Sequence, residues 1–343
     1  MTVPIVICID AEPDAQVFSP DAPSPLSGLE QMLKASDPLR ARLRASTGRP
    51  VHFAWSLRMD PQIAMGYGSP TFLAEKYPMQ LDALAAYGDA IGVHPHAWRW
   101  DAGRHLTVAA HDDSHYVEDC MEMAVKGFQA TFGRVPDYHR YGAHFMSTPT
   151  MNLLRDMGVT VDLTVEPGEP PVRDVIAGVG WTGNTGDFRN APNFAYQPDP
   201  QDYLRPAKAA ETLWELPLTS GIRPATQLFP DPLHSFASRL QHPVRSARNL
   251  QGRANARYTG ATKGPSHRHL PIGGDWKKPA DFWAAAWVAA RALERPYLAF
   301  AIRTNPGSTA KLTKMMNALM MDDRIGELSF VTPAEALAQM GLA

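Results

Sequence analysis

Strand-like and helix-like stretches alternate along most of this chain. An apolar run, Val3-Pro4-Ile5-Val6-Ile7-Cys8-Ile9, opens it and predicts a strand buried on both faces. After a loop rich in proline, serine and aspartate, Leu29, Met32, Leu33, Leu39 and Leu43 recur at helical spacing. Gly48 and Pro50 end that helix. Val51–Arg58 predicts a second strand, residues 70–87 a helix, and Ile91-Gly92-Val93 the end of a third strand. Ser114–Phe132 predicts a helix with Ser114 as N-cap, closed by Gly133 and Pro136. A strand around Tyr138–Tyr141, a helix over Thr148–Met157 and a fifth strand over Val159–Val165 follow.

Residues 166–210 are rich in Pro, Gly, Asn and Asp and predict an irregular loop system, which at that length is usually functional. Leu213–Leu218 predicts a sixth strand. Residues 220–278 then interrupt the rhythm with a basic insertion, carrying Arg223, Arg239, Arg245, Arg248, Arg253, Arg257, Lys263, Arg268, Lys277 and Lys278 against Asp231 and Asp275. A helix (Ala280–Leu293), a strand (Tyr297–Ile302), a helix (Ser308–Met321), a strand (Leu328–Val331) and a helix opened by Thr332-Pro333 finish the chain.

Repeated β-then-α units imply parallel strands with right-handed crossovers. No glycine-rich dinucleotide turn follows the first strand, and polar residues stand at many strand ends. A barrel therefore fits better than an open sheet, as one α/β domain over residues 1–343 with the insertion as a lid.

Composition narrows the function classes. A chain of 343 residues with 44% hydrophobic residues can bury a large core. A net charge of -2 argues against a nucleic-acid partner. Cys8 and Cys120, far apart, build no disulfide framework or CxxC metal site, and a reducing compartment is expected. With no signal-peptide pattern and no apolar stretch near the ~20 residues of a membrane span, a cytoplasmic protein is the simplest expectation.

The chemistry-bearing residues gather at predicted strand ends, where a β/α barrel keeps its active site. His94 and His96 follow the third strand one residue apart, so both imidazoles can face one side, with Pro95 stiffening the spacing. Asp10 and Glu12 repeat the same arrangement after the first strand. One acid could ligate a metal and the other take a proton from water. Arg58 and Asp60 end the second strand, Arg140 the fourth, Glu215 lies in the sixth and Arg303 follows the seventh. For Glu215 a salt-bridged strand residue is an equal reading. Arg58, Asp60, Trp98, Tyr141 and Tyr196 are candidate substrate contacts beside these ends; Trp181, Phe188, Phe194 and Tyr196 could stack on a ligand or pack the long loop.

The ordered set Ile-Asp-x-Glu, Ile-Gly-Val-His-Pro-His-Ala-Trp and His-Arg-Tyr-Gly resembles the polysaccharide deacetylase (NodB-homology) superfamily, in a form with a His-x-His second motif. That resemblance implies a distorted (β/α)7 barrel holding a divalent metal, usually zinc, through one acid and two histidines. It implies attack of water on the acetyl group of an N- or O-acetylated sugar. Asp10 matches the base, His94 the first histidine ligand, and Arg140 the arginine that orients the base.

Three positions depart from the pattern. Ala11 replaces the second aspartate, which passes the ligand role to Glu12 or to Asp10 itself. His96 lies two residues after His94 rather than four. Arg303 stands where a histidine acid is usual, so that Arg303 stabilises the oxyanion, His144 donates the proton, or the activity is altered. Related readings are hydrolysis of another amide or a glycosidic bond, or a sugar-binding relative. The basic insertion could hold the phosphate of a nucleotide- or lipid-linked sugar.

Overall fold

The computed structural model describes residues 2–173, 176, 178–222, 267–274 and 276–342, with the backbone of 257–258. Strand β1 (Val3–Ala11) is the hub. It pairs in parallel with β2 (Ala54–Leu57) on one side and β6 (Leu298–Arg303) on the other, while β7 (Leu328–Phe330) pairs its first residues. β2 continues to β3 (Ala90–Val93), again in parallel. Single bridges carry the ladder from Val93 to His139 and from His139 to Asp162 of β4 (Val161–Asp162), which pairs β5 (Trp214–Glu215). Thr219 N then donates to Ala299 O of β6 at 2.8 Å.

Side chains of β1 alternate between two apolar layers. Ile5, Ile7 and Ile9 pack with the helices, whereas Val6 and Cys8 pack with Ala54, Tyr138, Leu163 and Leu216. Both faces are buried, as the near-continuous apolar run predicts. Asp10, near the end of the strand, and Glu12, just past it, continue the even-numbered face. Helices α1 (Ser27–Thr47), α2 (Pro61–Tyr67), α3 (Phe72–Lys76), α4 (Pro78–Ala86), α5 (Ser114–Phe132), α6 (Thr148–Asp156), α7 (Pro279–Arg291), α8 (Ser308–Met320) and α9 (Pro333–Gln339) connect the strands.

Several expectations change in detail. The second strand contracts to Ala54–Leu57, and Val51 keeps only a bridge to Phe330. The helix expected over 70–87 divides at Tyr77, because Pro78 has no N–H to continue the ladder. The N-cap of α5 is Asp113, whose carboxylate accepts from Tyr116 N, rather than Ser114. α2 and the antiparallel hairpin Trp98–Asp101/Leu106–Ala110 are additions. Gly180–Thr182, in the loop 166–210, joins that hairpin. Of the insertion, Ser220–Ile222 pairs antiparallel with His267–His269. Arg223, Arg239, Arg245, Arg248, Arg253, Lys263, Asp231 and Asp275 lie outside the described residues, as does the side chain of Arg257. Among the described residues no helix is long and apolar enough to cross a membrane.

A buried ion pair fixes the strand ends away from the site. Asp89 accepts from Arg40 Nη1 and Nη2 (2.8 and 2.7 Å), Phe53 N (2.8 Å) and Trp55 Nε1 (3.0 Å). Removing one partner of such a pair strands a buried charge. Asp89→Ala should therefore lower stability by about 3–5 kcal/mol, read from urea unfolding.

Candidate metal centre

Backbone contacts set the site before any side chain does. Thr304 N donates to Asp10 O (3.0 Å), and Thr304 Oγ1 accepts from Glu12 N (2.9 Å), clamping the turn after β1 to the end of β6. His94 N donates to Leu57 O at 2.8 Å, and His96 N to Asp60 Oδ2 at 3.2 Å. Both histidines thus hang from the ends of β2 and its following turn.

Glu12, His94 and His96 converge: one ligand atom of each lies within 4.8 Å of the others, and all three residues are buried. The two Nε2 atoms are 3.1 Å apart, and Glu12 Oε2 is 3.7 Å from His96 Nε2. Tetrahedral zinc with Zn–N bonds of about 2.1 Å holds its ligand atoms about 3.4 Å apart. His94 Nδ1 lies 2.8 Å from Arg140 O, a carbonyl that only accepts, so Nδ1 carries the hydrogen and a neutral ring leaves Nε2 as a lone pair. Burial pushes both imidazoles towards the neutral form, and for His96 the charges of Arg58, His94, Arg303 and Arg140 add to it. Glu12 Oε2 is buried with no hydrogen bond. Lone pairs facing a bare carboxylate oxygen fit a divalent cation.

Asp10 stands beside this triad. Its Oδ2 is 3.9 Å from His94 Nε2 and accepts from Arg140 Nε at 3.3 Å; its Oδ1 accepts from Ser56 Oγ at 2.8 Å. Burial raises the Asp10 carboxyl, but His94 and Arg140 outweigh it and hold the group below its ordinary range. It is an anion able to take a proton. Burial and the Asp10 charge push the neighbouring Cys8 thiol up to about 12, so Cys8 is core and offers no thiolate.

Arg303 ion-pairs with Glu12 Oε1, and its buried Nη2 has no hydrogen bond. Arg58, Asp60, Trp98, Tyr141 and Tyr196, the expected substrate contacts, are all buried, and the partners of each are protein groups. Arg58 binds Asp60 Oδ2 (2.7 Å) and approaches Glu12 Oε2 (3.6 Å) from behind. Asp60 also caps α2. Trp98 stacks on His96 with centroids 5.6 Å apart. Tyr141 Oη donates to Val117 O (2.6 Å) and Tyr196 Oη to Tyr203 O (2.9 Å). Glu215 is buried beside Asp162, which together with desolvation raises its carboxyl well above the usual range; its Oε1 accepts from Val165 N, and it does not join the site.

Gly142 closes the wall of the centre. A Cβ there would overlap His96 Nε2, so any side chain would drive the ligand aside. Glu166, which the sequence reading did not single out, accepts from Arg140 Nη2 at 3.1 Å. Its signal was available, because it directly follows the predicted fifth strand, at the position where the other strand ends place their polar groups. His269, 3.1 Å from Glu166, sits in the insertion and had no periodic pattern to mark it.

No family model and no curated protein matches the sequence. A solved structure from Mycobacterium smegmatis, described provisionally as a polysaccharide deacetylase, is similar over 99% of this chain and 90% of its own, with TM-score 0.51 and 11% identity. A second, from Parabacteroides distasonis and described provisionally as a glycoside hydrolase/deacetylase, is similar over 98% of this chain and 71% of its own, with TM-score 0.54 and 11% identity. The chain shares their fold. At such identity the likeness covers the deacetylase-type fold alone, and the chemistry has to be argued from the residues.

His111 illustrates how tightly that fold packs its aromatic flank. Its ring lies between Phe145 (centroids 3.9 Å apart) and Trp181 (5.1 Å). Burial, and then the charge of His144, lower its pKa to about 3. Unfolded, the imidazole takes a proton near pH 6.5. The native state is therefore favoured fully above that value and loses about 1.4 kcal/mol per unit as the pH falls towards 3. His111→Phe should remove that slope, seen as a difference between urea unfolding curves of the two proteins at pH 4.5–6.5.

Proposed function

We propose that this chain is a metal-dependent hydrolase of the polysaccharide deacetylase superfamily, removing acetyl from an N- or O-acetylated sugar. The observation that carries the reading is the convergence of Glu12, His94 and His96 next to the Asp10–Arg140 pair. The parallel ladder running from β1 round to β6 supports a distorted (β/α)7 barrel, and the ligand set suits zinc. Two buried free cysteines suit a reducing, cytoplasmic setting.

A divalent ion in the triad would polarise the acetyl carbonyl and acidify a water molecule. Asp10 takes the proton from the attacking water, and Arg140 with Ser56 holds its carboxylate in place. Arg303 fixes Glu12 and turns its uncommitted Nη2 hydrogens towards developing negative charge. Arg58, Asp60 and Trp98 keep the ligands in register from behind, a role that usually changes affinity by about 10–100-fold when lost.

The test is acetate release from N-acetylglucosamine oligomers and O-acetylated glycans by metal-loaded protein. We expect release with zinc and its loss on chelation. Absence of release from either substrate class with zinc, nickel, cobalt and iron each supplied would overturn the proposal.

A further inference from the structure

Cleaving an amide requires a proton for the departing nitrogen. Asp10 receives a proton from water, and the two imidazoles of the triad are turned to the cation. Arg303 does not release a proton. A second buried cluster lies one step further out. Glu166 Oε1 accepts from Arg140 Nη2 at 3.1 Å, and its Oε2 lies 3.0 Å from His144 Nε2 and 3.1 Å from His269 Nδ1. Burial raises the Glu166 carboxyl, yet His269 and His144 override it and hold it well below the usual range. A carboxylate only accepts, so each imidazole carries hydrogen on the atom facing it.

Of the three side chains in that cluster, His144 is the most open, at 19% exposure against 11% for Glu166 and 10% for His269. Its backbone is also unusual. Ala143 and His144 have φ of 50° and 56°, two successive non-glycine residues in the left-handed region. Such conformations are sterically disfavoured for residues with a Cβ and persist where the surroundings impose them. The turn begins at Gly142, against His96 Nε2, so the Cα of His144 is within about 7 Å of the wall of the metal centre. The strain therefore delivers an imidazole to the edge of the site, on an element that carries none of the ligands.

We infer that His144, held by Glu166, protonates the leaving group. The inference rests on the deacetylase reading. Water adds to the acetyl carbonyl and its proton passes to Asp10. His144 acts as the imidazolium partner of Glu166: as the tetrahedral carbon collapses, the C–N bond breaks with its electron pair moving to nitrogen, the Nδ1 proton transfers to that pair, and the neutral ring keeps its Nε2 hydrogen on Glu166. Acetic acid and the free amine leave, and the proton on Asp10 returns to His144 through solvent. His269 fixes the Glu166 carboxylate from the other side.

The role predicts a dependence on leaving group. Nitrophenolate departs without a proton, whereas a sugar amine does not. For His144→Gln and His144→Ala, turnover per mole of bound zinc is measured on p-nitrophenyl acetate and on an N-acetylglucosamine tetramer. We expect amide turnover to fall by about 10²–10⁴-fold, the usual contribution of a positioned acid, with ester turnover falling by no more than about threefold. Rescue of the amide rate by added imidazole would support it further. Equal losses on both substrates, or no loss on either, would overturn the role of His144 and leave the deacetylase reading standing. Wild-type protein that binds zinc but cleaves neither substrate would instead overturn the reading itself.

Discussion

His94→Ala protein is expected to purify without metal and without turnover. The ring supplies a lone pair at Nε2 because its other nitrogen is committed to the Arg140 carbonyl, and alanine offers no donor. Glu12→Gln should act in the same direction. It exchanges the anion that faces two imidazoles and leaves Arg303 beside a neutral amide. Loss of a supporting group around a metal usually costs 10–100-fold in affinity, so loss of a ligand should exceed about 100-fold. Metal content by elemental analysis, alongside acetate release, checks both variants. Retention of a full equivalent of metal by His94→Ala would sink the assignment of the triad.

Asp10→Asn should separate binding from chemistry. Asp10 lies outside the group of three atoms within mutual reach; its Oδ2 is 3.9 Å from His94 Nε2, while it accepts hydrogen bonds from Ser56 and Arg140. Asparagine keeps the shape and can still accept from Ser56 Oγ, but it cannot take up a proton from water. Metal content should stay near that of the wild type while turnover falls by about 10²–10⁴-fold. Arg140 retains its partner Glu166, so the fold should tolerate the change. Loss of the metal in Asp10→Asn would move the ligand role from Glu12 to Asp10, the other assignment open in the sequence.

Much of the site was legible because strand periodicity is rigid. Residues two apart on an extended segment face the same way, so Asp10 with Glu12 and His94 with His96 could be paired without coordinates. The strand-end rule also placed Arg140 and Arg303 correctly next to the acids. It left open that Arg58, Trp98 and Tyr141 are buried, because a strand-end position does not reveal whether a side chain points into an open mouth or back into the packing. For Glu215 the structural reading is the one that the contacts favour: Trp214-Glu215-Leu216 puts its carboxyl on the face opposite Leu216, beside Asp162.

The sequence by itself determined the alternation of the main strands and helices, the two-residue spacing of acids and histidines, and the candidate set of ligands. Those depend on local periodicity and on residue chemistry, which a linear string carries. Only the tertiary structure decided which acid meets the histidines, since β1 and β3 are neighbours only through β2. It alone brought Glu166 to Arg140 and His144 to Glu166, contacts 26 and 22 residues apart along the chain, counted from 140 to 166 and 144 to 166. Periodicity decays at every loop, and it is the packing of β4 and its following residues against the site that restores the register there.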